Sequence, residues 1–329
     1  MGGILAAAEP GAPRIRLAFL GAGHSHFQGK LEAALESGAF EVIGVHEGEA
    51  AVRARHRPAV PWIPFEELVA RAEVVVVESE VARHAEDARR ALEAGKHVHV
   101  EKPPADTLAA LDTLVALAAE RRRVFQVGYM WRHHPGLAAM EEAVRDGRLG
   151  EVFLVRATMN TLAGAESRRE WAAFAGGAMF EQGCHLVDFV VRLLGRPDRV
   201  TPFLQRLGMP GDDLADNTLA VLEYPRALAL ITSAPRQPGA GAHRCVEVTG
   251  TRGLARLQPV EPPVLGFDLA PGDRIPPVGM VGVDLPPYRR YVGELQALAA
   301  AVRGEAPLPV TAGVERIVQE TVLRASGMA

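Results

Sequence analysis

The stretch Glu181-Gln182-Gly183-Cys184-His185 sets a carboxylate and an imidazole at i and i+4, stacked on one helical face, with Asp188 a turn further on. Such a pair is either a hydrogen bond that supports the helix or part of a ligand site. Gly176, Gly177 and Gly183 favour the second reading, because they remove side chains where a ligand ring would come close to the backbone. A zinc reading of the pair lacks further ligands. His24-x-His26 and His97-x-His99 belong to a loop and a strand, so no metal is expected.

A second stretch able to do chemistry is GAGHSH, Gly21 to His26. Gly21 permits a tight turn, and Gly23 lets the backbone approach a pyrophosphate resting on the N-terminus of the next helix. His26 stands where the third glycine of GxGxxG belongs. That glycine serves helix-to-strand packing more than phosphate contact, so His26 is expected to hinder the helix's approach and leave the anion site intact. His24 and His26 could also turn partial positive charge toward phosphates. Glu47 closes the next strand. Its carboxylate can take both hydroxyls of a ribose and repels a 2′-phosphate, which favours NAD(H), while Arg53 and Arg55 leave NADP(H) open. The competing reading of the glycine turn is a tight connection without a ligand.

The elements that must position these residues follow from hydrophobic periodicity. RIRLAFLGAG (Arg14 to Gly23) reads as a buried parallel strand entering a turn, and Phe27, Leu31 and Leu35 give the following helix one apolar face. FEVIGVHEG is the second strand of a βαβ unit. The helix–strand alternation continues through FEELVARA, AEVVVVES, HAEDARRALEAG, KHVHVEKPP, DTLAALDTLVALAAERR and VFQVGYMW. This predicts a doubly wound Rossmann sheet over residues 14–131. Beyond it, GLAAMEEAVRDGRLG and EQGCHLVDFVVRLLG read as helices among strand-like runs EVFLVRATM, TLAVLEY, ALALITSA, RCVEVTG and GLARLQP. Residues 132–329 are therefore expected to form an α+β domain with a mostly antiparallel mixed sheet. The proline-rich run from Gln258 to Pro287 reads as an irregular connection, and YRRYVGELQALAAAVRG and VERIVQETVLRAS as closing helices.

Composition narrows the role. With 329 residues, 48% of them hydrophobic, the chain can bury two cores, and a net charge of −4 offers nothing to attract nucleic acid or an anionic membrane. Two cysteines, Cys184 and Cys245, cannot build a disulfide framework, so a cytoplasmic location is expected. Residues 1–13 read as a loose leader without signal-peptide features, and no apolar run is long enough to span a membrane.

The order GAG, an acidic second-strand end and ALEAGKHV-x-x-EKP resembles the glucose-fructose oxidoreductase, inositol dehydrogenase and MocA (Gfo/Idh/MocA) family of NAD(P)-dependent oxidoreductases. VGYMWRHHP, GGAMFEQGCHLVDFVVRLLGRP and DNTLAVLEYPRALALITS followed by VEVTGTRGLARL extend the resemblance over nearly the whole chain after the leader. It implies hydride transfer between a nicotinamide cofactor and a sugar, inositol or related cyclic polyol or ketone. NAD-dependent glycoside hydrolysis, or a degenerate nucleotide-binding paralogue, are the alternatives. It also implies a homodimer or homotetramer.

By the same resemblance, Lys102 of Glu101-Lys102-Pro103 sits beside the nicotinamide, and Glu181 and His185 take the places of the second domain's acid and histidine. Alcohol oxidation requires removal of the hydroxyl proton. His185 suits the general base, the Lys102 ammonium stabilises the developing alkoxide, and Glu181 orients the imidazole or substrate. Cofactor-side residues are Gly21, Gly23, His24, Ser25, Glu47, Ser79, His84, Glu101 and Lys102; His84 is equally readable as a helix-cap or core histidine. Arg132, Trp171 and Tyr129 are candidate walls of the substrate pocket. Two departures stand out. Many relatives have Asp at the place of Glu181, and the loop they write T-P-P or T-P-N reads Ser79-Glu80-Val81 here, after Glu78. Two carboxylates there weaken anion binding unless they turn outward.

Overall fold

The computed structural model describes residues 13–208, 212–270 and 279–329. The expected leader lies outside the described residues except for Pro13, as does part of the proline-rich run. The chain divides into two compact units, one running to Met130 and taking in Arg289–Ala312, the other comprising Trp131–Tyr288 and Gly313–Ala329.

In the first unit, β1 (Ile15–Leu20), β2 (Phe40–His46), β3 (Val74–Val77), β4 (His97–Glu101) and β5 (Phe125–Gly128) form a parallel sheet in the order β2-β1-β3-β4-β5. The four consecutive valines of β3 are all fully buried, as a central strand covered on both faces requires. Helices α1 (Phe27–Glu36), α2 (Ala50–Arg55), α3 (Phe65–Arg71), α4 (His84–Glu93) and α5 (Leu108–Arg121) alternate with the strands. The strand order reverses beside β1. Leu20 pairs with both His46 and Val77, and Val77 with Val100, so the loops leaving β1, β2, β3 and β4 emerge along one sheet edge. That edge, at the switch point, is where an open parallel sheet binds ligands.

Helix α1 differs from the expected pattern in one instructive way. Phe27 and Leu31 are buried, but Leu35 is 40% exposed and Lys30 is completely buried instead, with Ala33 and Ala34. The inward face thus runs through positions 27, 30, 31 and 34, and a lysine occupies a core position.

The second unit carries α6 (Pro135–Arg145), α7 (Ala165–Ala172) and α8 (Cys184–Leu194), with α10 (Ala312–Ala325) supplied after the chain has passed through α9 (Val292–Arg303) of the first unit. Its eight strands are β6 (Val152–Thr158), β7 (Arg199–Gln205), β8 (Asn217–Glu223), β9 (Leu228–Ser233), β10 (Cys245–Gly250), β11 (Gly253–Leu257), β12 (Leu265–Leu269) and β13 (Val281–Val283), in the order β13-β12-β11-β10-β6-β9-β8-β7. Every pairing is antiparallel except β6 with β9. Strands β12 and β13 correct the reading of the proline-rich run as irregular. Its prolines flank these strands, and Leu265 and Phe267 bury themselves while β12 pairs with the free edge of β11. No helix among the described residues is long and apolar enough to cross a membrane.

Candidate active site

At the sheet edge of the first unit, the glycine loop meets the loop after β3 with no room to spare. Gly21 has φ +85°, and a Cβ on it would fall 2.4 Å from the Ser79 backbone; one on Gly23 would lie 2.7 Å from Glu80 Cγ. Glu47 is buried at the end of β2 and accepts Ala22 N–H at 2.9 Å and Glu49 N–H at 2.8 Å. Its carboxylate is therefore tied into the glycine loop, where a ribose-binding acid belongs. Arg53 donates to the Glu47 carbonyl oxygen at 3.1 Å. Ser25 is exposed at the loop's end, just before α1.

A different close approach lies three residues past His26. A Cβ on Gly29 would strike the Tyr291 ring at 2.7 Å, so that glycine admits Tyr291, just before α9, against α1. His26 lies beside the same ring, 5.4 Å between centroids.

Beneath the loop lies a buried charge cluster centred on Lys30, which the hydrophobic pattern of α1 does not reveal. Lys30 Nζ reaches Glu78 Oε1 at 2.7 Å, Glu294 Oε1 at 3.3 Å, Glu101 Oε2 at closer range, and His99 Nε2 at 2.8 Å. His99 Nδ1 meets Gln126 Oε1 at 2.8 Å, and the Gln126 amide donates to the Glu294 carbonyl at 3.2 Å. Burial works to discharge Lys30, but Glu101, Glu294 and Glu78 hold its pKa well above the usual lysine value. Burial likewise opposes ionisation of Glu101, yet Lys30, with His26 and His24, keeps that carboxyl well below the usual range. Glu78 carries the compensation, pushed up to about 8 by burial against the pull of Lys30.

Glu78 accordingly turns inward onto Lys30, neither outward to solvent nor toward a phosphate, whereas Glu80 is exposed against Gly23. The histidines also depart from expectation. Burial lowers His24 well below its ordinary value and His26 to about 4, so neither offers positive charge to an anion at neutral pH.

His24, His26 and Glu101 bring ligand atoms within 4.8 Å of one another, and so do Glu78, His99 and Glu101. The second group already surrounds the Lys30 ammonium. In the first, Glu101 Oε1 lies 3.2 Å from His26 Nδ1 and accepts the Lys102 N–H at 2.9 Å.

Lys102 is 1% exposed, and its backbone is held from both sides. Glu101 takes its N–H, while His84 packs against the loop that follows, Nδ1 at 2.8 Å from the Pro103 carbonyl and Nε2 at 3.0 Å from that of Ser79. His84 thus ties the loop after β3 to the loop after β4. Ser79 Oγ is buried with no hydrogen-bond partner among the described residues. An orphaned hydroxyl beside a glycine turn, with a carboxylate at the end of β2, fits a dinucleotide.

In the second unit, Glu181 and His185 are 3% and 2% exposed, but they do not share a regular helix. Met179–Gly183 is a π-helical turn leading into α8, so Glu181 sits in the wider turn and His185 in the first turn of α8. Such turns inside α-helices are frequent at functional sites. The Trp131 ring lies 5.2 Å from the His185 ring. The glycines around the pair are spoken for by protein. A Cβ on Gly177 would lie 2.5 Å from the Ala215 carbonyl oxygen, one on Gly176 2.3 Å from Ser326 Cβ, and one on Gly183 2.4 Å from Met179 Sδ. They permit close packing of the chain on itself, not the ligand contact expected of them.

Arg132, expected at the substrate pocket, is engaged by protein carboxylates. Its buried guanidinium donates to Asp188 Oδ1 at 2.7 and 3.0 Å and to Glu315 at both oxygens, joining α8 to α10. Burial would raise the Asp188 carboxyl, but Arg132 and Arg192 hold it below its usual range. Trp171 is buried on α7, and Tyr129 is buried just past β5.

The description of the oxidoreductase family with an NAD-binding Rossmann fold matches residues 15–129, and that of the GFO/IDH/MocA C-terminal domain matches residues 137–256. The chain belongs to the Gfo/Idh/MocA family. Inositol 2-dehydrogenase of Rhizobium meliloti is 25% identical over 88% of both chains. The uncharacterized oxidoreductase YdgJ of Escherichia coli K12 is 30% identical over 48% of this chain and 46% of its own. Trans-1,2-dihydrobenzene-1,2-diol dehydrogenase of Bos taurus is 27% identical over 56% and 54%. The match thus spans about half the length of the last two. UDP-N-acetylglucosamine 3-dehydrogenase from Acidithiobacillus ferrooxidans shares the fold, with a TM-score of 0.76 at 20% identity over 95% of this chain and 97% of that one. In this Gfo/Idh/MocA member the first unit carries the NAD(P)-binding Rossmann domain.

Proposed function

We propose that this chain is an NAD(P)(H)-dependent dehydrogenase acting on a hydroxyl-bearing ring carbon of a cyclic polyol, a sugar or the related ketone, with NAD(H) preferred. The observation that carries the reading is the match to inositol 2-dehydrogenase across 88% of both chains, joined to a buried Lys102 and a buried His185. Gly21, Gly23, Ser25, Glu47, Ser79, His84, Glu101 and Lys102 hold the cofactor. Glu47 underlies the preference, since a carboxylate bound to the glycine loop favours a ribose diol over a 2′-phosphate. When bound, the nicotinamide supplies the hydride chemistry. His185 takes the hydroxyl proton as general base, and Lys102 stabilises the alkoxide as it forms. Glu181 orients the imidazole. Arg132 holds α8 in place through Asp188. Trp171 lines the substrate pocket. The face of the second sheet that carries Phe203, 53% exposed, and Leu228, 46% exposed, pairs with a second copy of the chain.

The test is absorbance at 340 nm with NAD⁺ and NADP⁺ across inositols, aldoses and cyclic diols, in wild type, Lys102→Met and His185→Ala. Turnover by wild type with loss of at least a hundredfold in kcat in both variants supports the reading. Turnover that survives both substitutions contradicts it.

A further inference from the structure

Three acidic side chains, Glu78, Glu101 and Glu294, gather on the Lys30 ammonium under the glycine loop. This is an awkward foundation for a site that must accept a dianionic pyrophosphate. His24 N–H donates to the Glu78 carbonyl at 2.9 Å, and His24 Nδ1 lies 3.7 Å from the Glu78 carboxylate. His26 Nδ1 is 3.2 Å from Glu101. Both carboxylates therefore lie directly against the loop residues that precede α1. Uncompensated, each would oppose a phosphate held at the N-terminus of that helix.

We propose that Lys30 is a positioning residue for cofactor binding: its ammonium draws the Glu78 and Glu101 carboxylates inward and neutralises them, leaving the N-terminus of α1 able to bind a pyrophosphate. The inference rests on the proposed NAD(P)(H) function. Lys30 sits in the first turns of α1, one turn behind the loop, so the same helix presents its N-terminus to the anion and its lysine to the carboxylates. Glu294 and Tyr291 complete the enclosure from the returning segment. Glu294 binds the ammonium, and the Tyr291 ring lies 5.6 Å from Nζ, in the space that Gly29 opens. Glu101 is the link to Lys102, because one oxygen takes the Lys30 ammonium and the other takes the Lys102 N–H. A methionine in place of Lys30 keeps much of the side-chain volume and deletes the charge. The carboxylates are then left to face the loop or to take up protons.

The experiment is NADH titration of the full-length protein at about pH 9, where the Glu78 carboxyl is ionised, by nicotinamide fluorescence and calorimetry, for wild type, Lys30→Met and Lys30→Met/Glu78→Gln. The expected result is a Kd at least tenfold weaker for Lys30→Met, with at least a threefold recovery when Glu78 is neutralised as well. A purely structural lysine would give no such recovery, since the second substitution adds no packing. Wild-type affinity in Lys30→Met overturns the proposal, and so does weakened binding that Glu78→Gln fails to restore. If Lys30→Met does not fold, Glu78→Gln alone decides. NADH must then bind at least as tightly as to wild type, and weaker binding overturns the proposal. Failure of the wild-type protein itself to bind NADH or NADPH counts against the function proposed above, and is thereby distinguished from a failure confined to Lys30.

Discussion

Replacing Arg132 with methionine removes the cation from a buried ion cluster and should show how much of the second unit depends on it. The Arg132, Asp188 and Glu315 side chains are 5%, 2% and about 8% exposed, and the guanidinium makes four hydrogen bonds to the two carboxylates. Asp188 keeps Arg192 Nε at 3.1 Å in the variant, whereas Glu315 loses the partner that offsets its burial. Breaking a buried pair from one side costs about 3–5 kcal/mol. At roughly 2–4 °C per kcal/mol for a unit of this size, the thermal midpoint should fall by roughly 6–20 °C. The loss should depend on pH with a definite sign. Burial already raises the Glu315 carboxyl in the wild-type fold, and without Arg132 it rises further. The folded variant then keeps a proton that the unfolded chain releases above its ordinary carboxyl pKa, so raising the pH favours unfolding. The deficit grows by up to about 1.4 kcal/mol per pH unit until the folded carboxyl itself ionises. Thermal unfolding followed by circular dichroism at pH 5 and pH 8 reads both effects, and Arg132→Met/Glu315→Gln should recover much of the loss at pH 8. A deficit below about 1 kcal/mol, the size of an exposed pair, at both pH values would mean that the Arg132 cluster does not behave as a buried ion pair.

Other outcomes follow from single contacts. Gly21→Ala, with a Cβ 2.4 Å from the Ser79 backbone at φ +85°, should weaken NADH binding at least tenfold by titration. Gly29→Ala meets the Tyr291 ring at 2.7 Å and should destabilise the first unit by about 1–3 kcal/mol in denaturant unfolding. Glu47→Ser removes the carboxylate tied to Ala22 N–H, and the ratio of NADPH to NADH Kd should fall by about tenfold, or 1.4 kcal/mol.

The parts of the fold set by local pattern were legible in the sequence. Four valines bracketed by polar residues announced β3, and Gly21-x-Gly23 with Glu47 at the next strand end marked the glycine turn and the carboxylate that accepts its Ala22 N–H. What escaped depends on partners distant in sequence. Lys30 shares the inward face of α1 with Phe27, Leu31 and Ala34, a spacing that could have flagged a buried lysine. Its meaning comes from Glu294, more than two hundred and sixty residues away. The return of Arg289–Ala312 to the first unit leaves no mark in periodicity, because α9 reads as an amphipathic helix wherever it docks. The π-helical turn at Met179–Gly183 is equally silent. One extra residue per turn changes which side chains align without changing composition, so Glu181 and His185 read as an ordinary i, i+4 pair. Gly176 and Gly177 were recognisable as close approaches, but only Ser326 and Ala215 reveal that the approaching group is protein.

The sheet edge bearing Gly21, Glu47, Ser79 and Lys102 is proposed as a nicotinamide dinucleotide site. Isothermal titration of the full-length protein with NADH and NADPH tests it most directly. Saturable binding of both, tighter for NADH and abolished or weakened at least tenfold by Gly21→Ala, is the predicted result. No binding of either nucleotide at millimolar concentration would contradict it.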